Sequence, residues 1–260
     1  MTDFHVHTCH CDGVGTPEEC VRAALKKGVT RLGLVGHAFT AFDDSYCMPQ
    51  RAEAFRSDVA RLKEAYKGRI ALFCGLEMDA FSDEDTSLFD YTIGSVHYVE
   101  VGGTFYSVDH TEDIQRSIIR EVFCGDAYAF AESYYKIVSE VVERTNCDFI
   151  GHFDLLTKFN EDGRVFDETH PRYLAAWQGA AEKLLKTGKP FEINVGAISR
   201  GCRSTPYPAQ PIAKWLAERG ARFVLSSDAH DPENICYQFG KWREICGAQV
   251  PIVDSFPEAG

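Results

Sequence analysis

The first strand-like segment of the chain, DFHVH at residues 3–7, is a short apolar run that ends in histidine. Six later segments share its richness in β-branched and aromatic residues: RLGLVGH (31–37), IALFCGLE (70–77), DYTIGSVH (90–97), CDFIGH (147–152), PFEINV (190–195) and RFVLSSDAH (222–230). Continuous apolar runs of this kind suit strands that are buried on both faces of a parallel sheet.

Segments with helical periodicity separate most of these runs. They are predicted at 16–28, 50–68, around 111–123, around 127–145, 171–188 and 208–220. The first shows the usual start and stop signals, since Thr16 can cap it, Pro17 follows and Gly28 ends it. Serial alternation of strand and helix, without a glycine-rich dinucleotide turn, favours an α/β barrel over a doubly wound sheet. We expect a single domain over residues 1–260.

Composition limits the partners that the chain can have. Its 260 residues carry 27 Lys and Arg against 39 Asp and Glu, a formal net charge of −12. This balance disfavours nucleic acid, although a local cluster of cations could still bind a small anion. No apolar run reaches the roughly 18–20 residues needed to cross a bilayer, so no membrane partner and a cytoplasmic location are expected. The ten cysteines contain no CxxC pair and are expected to be reduced.

Histidine and acidic residues recur where the predicted strands end. They are His5, His7, His37, Glu77, His97, His152, Asp228 and His230. In a barrel these ends converge on the face that carries the active site. Imidazole and carboxylate together suit Zn, Mn, Fe or Ni rather than Ca. Strand alternation also places His5 and His7 on one face of their strand, and it likewise places Asp228 and His230 on one face of theirs.

Two features near the first strand are ambiguous from local sequence alone. Asp12, in CDGVGTPEE, is as readily a turn residue before Gly13 as a metal ligand. Cys9 and Cys11 could bind a soft metal, but their spacing is not CxxC and no second thiol pair completes a tetrahedron. We therefore expect no thiolate ligand.

Taken in order, these motifs resemble the PHP (polymerase and histidinol phosphatase) superfamily over nearly the whole chain. The matching segments are HVHTCHCDG, LGLVGH, GLEMD, DYTIGSVHY, FIGHFDLL and LSSDAH. The most specific are the opening HxH, IGSVH and the closing SSDAH. Within the superfamily, GSVHYVEVGGTFYSVDHTED and FEINVGAISRG look most like the histidinol-phosphatase branch.

The resemblance implies a distorted, TIM-like (β/α)7 barrel that holds up to three divalent metal ions (Zn, Fe or Mn). By motif, one ion would use His5, His7, Glu77 and Asp228, a second Asp12, His37 and His230, and a third Glu77, His97 and His152. This raises Asp12 above its local ambiguity. Relatives usually carry an acidic residue before the position of His37, where this chain has Gly36. That change could alter the orientation of neighbouring ligands.

The resemblance also implies a phosphomonoesterase, specifically one that hydrolyses L-histidinol phosphate in histidine biosynthesis, with a metal-bridging hydroxide attacking phosphorus. Asp228 or His230 would protonate the leaving alkoxide.

Further residues are candidates for holding the substrate or the ligands. For phosphate they are Arg200, Arg203 and Lys158. Glu192 or Glu100 could meet the ammonium group of an amino alcohol, with Asn194 hydrogen-bonding it. His10 and His110 are candidates for supporting the metal ligands.

Three other functions remain open at this point. A PHP phosphoesterase acting on phosphotyrosine or nucleotides would use the same metals with a different pocket. A non-catalytic metal-binding PHP domain would keep the ligands without turnover. An amidohydrolase on a related barrel would need a bridging lysine, and none lies at the predicted strand ends.

Overall fold

A computed structural model describes residues 1–247 and 250–254. It contains one seven-stranded parallel sheet and a separate two-stranded hairpin. The strands are β1 (Thr2–Val6), β2 (Arg31–Leu34), β3 (Ala71–Asp79), β4 (Tyr91–Ser95), β5 (Tyr98–Val101), β6 (Thr104–Ser107), β7 (Phe149–Ile150), β8 (Phe191–Asn194) and β9 (Phe223–Ser226). The large sheet has the order β1-β2-β3-β4-β7-β8-β9. The seven predicted strands are confirmed.

Helices connect most of the parallel strands and pack outside them. They are α1 (Pro17–Lys26), α2 (Glu53–Ala65), α3 (Glu112–Glu121), α4 (Ala127–Val138), α5 (Val141–Thr145), α6 (Pro171–Leu185), α7 (Gly196–Ser199), α8 (Gln210–Ala217) and α9 (Phe239–Gly247). The predicted start of α1 is confirmed, because the N-cap Thr16 and Glu19 in the first turn form a reciprocal capping box.

The structure differs from the sequence prediction in four places. The helix predicted around 127–145 is two helices, and the break falls where the Ser139 side chain donates to the Lys136 carbonyl. The short α7 and the C-terminal α9 were not predicted. The hairpin β5–β6 was also missed, although VEVGGTFYS carries its signal: both turn glycines, Gly102 and Gly103, have positive φ angles.

The sheet closes into a barrel between its two edge strands, β1 and β9. The His7 N–H donates to the Ala229 carbonyl (2.8 Å), and the Ala229 N–H donates to the His5 carbonyl (3.2 Å). Near the other end of β9, Phe223 pairs with Ile252 of the C-terminal segment. The predicted distorted (β/α)7 barrel is therefore confirmed, with its closure made after the last strand rather than by a full ladder.

Two apolar clusters stabilise this arrangement. The larger lies between strands and helices and includes Leu34, Leu76, Val21 and Val59, all fully buried. The smaller fills the space inside the barrel and comprises Phe4, Val35, Tyr91, Ile93, Phe149 and Val224. Tyr91 donates to the Phe4 carbonyl (2.6 Å) across this space. A Cβ at Gly33 or Gly75 would collide with the Tyr91 ring, so both positions require glycine.

Within the described residues, no helix has the length and apolar character that a membrane crossing demands. The single domain predicted over 1–260 also includes residues 248–249 and 255–260, which lie outside the described part, and it stays a prediction.

Candidate active site

All of the histidine and acidic residues noted at the strand ends lie together at the C-terminal end of the barrel. Seven of them are buried, namely His5, His7, His37, Glu77, His97, His152 and Asp228. Asp12 and His230 lie at the rim, with side chains that are 35% and 23% exposed. The parallel strands bring them to one place because each strand ends at the same edge.

The first predicted ligand set forms a tight group. The Nε2 atoms of His5 and His7 are 3.1 Å apart, and each lies 3.2 Å from Glu77 Oε2. Asp228 Oδ1 is 3.7 Å from the His5 nitrogen and 3.5 Å from the His7 nitrogen. These donors could hold one cation.

The second predicted set lies at the rim. Asp12 Oδ1 is 3.5 Å from His37 Nε2, and Asp12 Oδ2 is 3.2 Å from His230 Nε2. His7 Nδ1 lies 3.7 Å from Asp12 Oδ1, so His7 stands between this group and the first. These four residues together could hold a cation.

The third predicted set surrounds the other oxygen of Glu77. Its Oε1 is 2.9 Å from His152 Nε2 and 3.4 Å from His97 Nε2. His37 also reaches this region, because its Nδ1 is 3.1 Å from Glu77 Oε2. The geometry groups His37 with Glu77 and His97 as readily as with Asp12. The sequence had assigned His37 to the second set only.

The donor set fits a metal better than it fits a network of hydrogen bonds. Glu77 Oε2 is buried and has no hydrogen-bond partner among the described residues, although His5, His7 and His37 nitrogens lie 3.1–3.2 Å away. A tetrahedral ion with bonds near 2.05 Å separates its ligands by about 3.3 Å. The observed separations match that spacing, and a cation would satisfy the oxygen.

Several ligand candidates are oriented by a second carboxylate or hydroxyl. His5 Nδ1 is 2.6 Å from Glu192 Oε1, and His97 Nδ1 is 3.2 Å from Asp79 Oδ2. These contacts leave the Nε2 atoms of both rings free for a metal. The Ser95 hydroxyl donates to Glu77 Oε1 (2.8 Å). Asp79 was missed in the sequence, although it shares a strand face with Glu77 in GLEMD by period two.

Electrostatics in the cluster favour ionised carboxylates. Burial opposes ionisation of Glu77, but the His37, His5 and His97 imidazoles hold its pKa well below the usual range. Burial likewise opposes the charged form of His5, yet Glu192, Glu77 and Asp228 raise its pKa well above the usual value. The pKa of His7 falls to about 3 because of burial and the His230 and His37 imidazoles. His7 is therefore neutral, as a metal ligand must be.

The site opens into a cavity of about 440 Å³ whose walls carry both charges. Of the predicted substrate-binding residues, Arg200 and Lys158 line it, and so does His110. Arg200 donates to Asp228 Oδ2 (3.0 Å) and to its carbonyl (2.9 Å). Lys158 Nζ donates to Asp109 Oδ2 (3.0 Å). Two cations thus line the same cavity as the metal-ligand candidates.

The other predicted substrate contacts are not supported by the geometry. Arg203 does not line the cavity, because its guanidinium donates to Thr157 and lies over the Tyr207 ring. Asn194 is fully buried and donates to Glu192 (3.0 Å) and Asp228 (3.3 Å). It orients ligand candidates instead of meeting substrate.

Three further predictions also need correction. Glu192 is fully buried against the His5 ring and the His152 amide, so it cannot face an ammonium group in the cavity. Glu100 is exposed on the hairpin and accepts from Gly103. His10 is paired with Asp58 at 2.9 Å, away from the cavity lining.

Part of the cavity wall was not anticipated, because it comes from the hairpin and from the loop after β2. Its residues are Asp43, Ser45, Tyr46, Tyr98, Ser107 and Asp109. Tyr98 donates to Asp43 Oδ2 (2.7 Å), and Phe42 stacks on Phe105 with ring centroids 3.9 Å apart. These contacts join loop and hairpin into one wall that no single sequence motif encodes.

Gly36, the departure from the family pattern, has a structural counterpart in Met48. A Cβ at position 36 would collide with the Met48 side chain. Met48 therefore fills the space into which a side chain at this position would extend.

The fold and the site together define a class, a (β/α) barrel with a cluster of imidazoles and carboxylates at the C-terminal ends of its strands. The family model described as the PHP domain matches residues 3–195. The chain belongs to the PHP domain family.

Curated relatives support the same placement. The chain is 30% identical to "Probable histidinol-phosphatase" of Deinococcus radiodurans over 96% of its length and 95% of that protein. It is 25% identical to "Histidinol-phosphatase" of Bacillus subtilis, covering 94% of this chain and 98% of that one.

Two crystal structures share the fold. The hisK protein of Listeria monocytogenes aligns with a TM-score of 0.81 at 20% identity, over 93% of this chain and all of that one. Histidinol phosphate phosphatase of Lactococcus lactis, complexed with Zn, L-histidinol and phosphate, aligns with a TM-score of 0.68 at 18% identity, over 97% of this chain and 95% of that one.

Proposed function

We propose that this protein is a metal-dependent phosphomonoesterase that hydrolyses L-histidinol phosphate to L-histidinol and phosphate. The observation that carries the chemistry is Glu77, a buried carboxylate with five imidazoles within 3.4 Å and one oxygen without a hydrogen-bond partner in the described chain. The observation that supports the substrate is that relatives aligned over nearly their full length carry the name histidinol-phosphatase.

The donor set suits up to three divalent ions, of which Zn, Fe and Mn match imidazole with carboxylate. We assign them to His5, His7, Glu77 and Asp228; to Asp12, His37 and His230; and to Glu77, His97 and His152. Bound there, such ions would activate water for attack on phosphorus and offset the charge that develops on the phosphoryl oxygens.

Arg200 and Lys158 would bind the phosphate group. A guanidinium has five N–H donors, so the Arg200 contacts with Asp228 and His230 leave others for phosphoryl oxygens. Lys158, which donates to Asp109 Oδ2 (3.0 Å), contributes a second cation to the same cavity. Both charges reduce the cost of bringing a dianion to a site rich in carboxylates.

The departing alkoxide needs a proton, which Asp228 or His230 would deliver after first accepting one from the attacking water. Both line the cavity, and Arg200 contacts both side chains at 3.0 Å. Arg200 would therefore hold both candidates in place beside a phosphate group that it binds.

A panel of phosphate esters on metal-reconstituted protein tests the function. The panel contains L-histidinol phosphate, phosphotyrosine, nucleoside monophosphates and bis-p-nitrophenyl phosphate, each assayed for kcat/KM. We expect L-histidinol phosphate to be preferred. Preference for phosphotyrosine or a nucleotide would assign a different substrate. Preference for the diester would refute the proposal that the protein is a phosphomonoesterase.

Two variants distinguish hydrolysis by this protein from hydrolysis by a contaminating phosphatase. Asp228→Asn should reduce kcat by several orders of magnitude, because it removes a metal ligand. Cys9→Ser alters an exposed residue of the loop that also carries Asp12 and should leave turnover and metal content unchanged. Near-normal turnover in Asp228→Asn would show that the site is wrongly assigned. Wild-type protein that binds metal without hydrolysing any ester would indicate a non-catalytic domain.

A further inference from the structure

Asp3 is a fully buried carboxylate whose two oxygens both accept backbone hydrogen bonds. Its Oδ1 accepts from the Ser227 N–H (3.1 Å), and its Oδ2 accepts from the Cys236 N–H (2.9 Å). It therefore ties β1 to two points of the chain that follows β9. A buried carboxylate is costly unless such bonds satisfy it.

These bonds lie at the seam where the barrel closes. In the described chain, backbone pairing between β1 and the β9 segment is limited to the bridge of Val6 with Ala229. Ser227 lies two residues before Ala229 in the β9 segment. Its N–H donates to the Asp3 side chain, whereas in a regular ladder it would have bonded to a backbone atom.

Asp228 lies between Ser227, which bonds to Asp3, and Ala229, which pairs with β1. Its backbone conformation is unusual. Its φ is +48°, in the left-handed region that non-glycine residues rarely adopt. Such a conformation persists only where the surroundings hold it. Here the Ser227 N–H is held by Asp3, and Ala229 is held through the His5 carbonyl and the His7 N–H.

Gly196, at the start of α7, leaves the space that the Asp228 side chain occupies in this conformation. A Cβ at Gly196 would lie 2.6 Å from Asp228 Oδ2 and 2.8 Å from Asp228 Cβ. The Asp228 side chain is thus packed directly against the α7 backbone. Its carboxylate has one position between the seam and this helix.

We propose that Asp3 is a positioning residue: its carboxylate holds the strained Asp228 backbone so that Asp228 is aimed at the metal ligands on β1. The proposal rests on the metal site of the proposed function, and not on the identity of the substrate. It predicts that Asp3 acts on metal binding through Asp228, beyond any effect on folding.

Asp148 provides a control elsewhere in the barrel, with a side chain that is 39% exposed where Asp3 is fully buried. Its Oδ2 accepts from the Thr92 N–H (2.9 Å), which ties the chain just before β7 to β4. This is the same kind of carboxylate–amide bond between neighbouring strands. It lies where the strands begin, whereas the candidate site lies where they end.

The test compares Asp3→Asn with Asp148→Asn. An amide replaces one acceptor oxygen with a donor, so at Asp3 one backbone N–H must face an NH₂ group. Each metal-free variant is titrated with Co²⁺, whose visible absorption reports the geometry of its ligands, and its thermal unfolding is measured. We expect Asp3→Asn to bind Co²⁺ about 10- to 100-fold more weakly, with an altered spectrum. Asp148→Asn should keep the wild-type affinity and spectrum, even where its melting temperature falls.

The proposal is overturned if folded Asp3→Asn binds Co²⁺ with the wild-type affinity and spectrum, or if Asp148→Asn weakens binding equally. Should Asp3→Asn not fold, Asp3→Ser keeps one acceptor and is compared in the same way. If neither folds while Asp148→Asn does, Asp3 is a structural element of the barrel and the proposal fails. Because Co²⁺ binding needs no substrate, inactivity of the wild type towards every ester would refute the proposed function without affecting this result.

Discussion

Replacing Glu192 with glutamine tests how the site sets the protonation of its histidines. The Glu192 carboxylate accepts three hydrogen bonds: from His5 Nδ1 (2.6 Å), from the His152 backbone N–H (2.8 Å) and from Asn194 Nδ2 (3.0 Å). It is fully buried, so no water can replace these bonds. Glutamine has the same shape but only one acceptor oxygen.

Both orientations of the new amide are unfavourable. If its oxygen faces His5, its NH₂ group faces two other donors, which leaves buried N–H groups unsatisfied. If its NH₂ group faces His5, Nδ1 must accept, the ring proton moves to Nε2, and that nitrogen can no longer bind a metal. Either result weakens the metal site or the barrel around it.

The magnitude follows from the bond that is lost. A hydrogen bond to a charged group contributes about 1.5–3 kcal/mol. At 1.4 kcal/mol per factor of ten, metal affinity should fall about 10- to 140-fold. Titration calorimetry of metal-free protein with Zn²⁺, in the presence of a competing chelator, measures this change.

Glu84→Gln is the control for this experiment. Glu84 is also buried and accepts the Arg51 N–H (2.9 Å), but it does not line the cavity. It should leave metal affinity unchanged. A folded Glu192→Gln protein that binds Zn²⁺ as tightly as wild type would refute the argument that Glu192 fixes the His5 tautomer.

Three further predictions concern protons, phosphate and packing. The raised pKa values of His5 and His97 keep both protonated in metal-free protein near neutral pH, and metal loading must displace these protons. Metal loading should therefore release about two protons, and metal affinity should fall as the pH falls. Calorimetry in buffers of different ionisation enthalpy measures the number of protons released, and the absence of proton release would contradict this prediction. Lys158→Ala should raise KM for the phosphate ester about tenfold with a smaller change in kcat, because it removes one charged phosphate contact; an unchanged KM in steady-state kinetics would exclude that contact. Gly196→Ala should lower both metal content after dialysis and kcat, since overpacking against Asp228 costs about 1–3 kcal/mol. Gly179→Ala, whose Cβ would meet no atom within 4 Å, is its control, and equal metal content in the two variants would argue against the steric effect.

Most of the candidate ligands could be recognised from the sequence because they follow apolar runs. His5, Glu77 and Asp228 each end a strand segment, and parallel strands bring such ends to one edge. The shared face of Glu192 and Asn194 was also predicted correctly from period two, since Asn194 donates to Glu192. The role of these two residues was not predicted correctly, because whether their face meets the cavity or the His5 ring depends on strands distant in the chain.

The cavity wall was harder to predict. Arg203 and Arg200 are three residues apart in one loop, yet only Arg200 lines the cavity. The difference arises from the neighbours that each guanidinium finds, Thr157 for one and Asp228 for the other. No local pattern distinguishes them. The hairpin could have been found from its two glycines, but its contact with the loop through Phe42 and Phe105 could not.

The sequence by itself determined the alternation of strands and helices, the family, and the chemical types of the donors, because these depend on short-range periodicity and on residue identity. The tertiary structure alone decided which nitrogen faces which oxygen. His37 lies between two ligand groups, and the barrel closes through Ala229 and the buried carboxylate of Asp3. Some of these distances join residues more than two hundred positions apart, and they are set by packing across the barrel that local sequence does not encode.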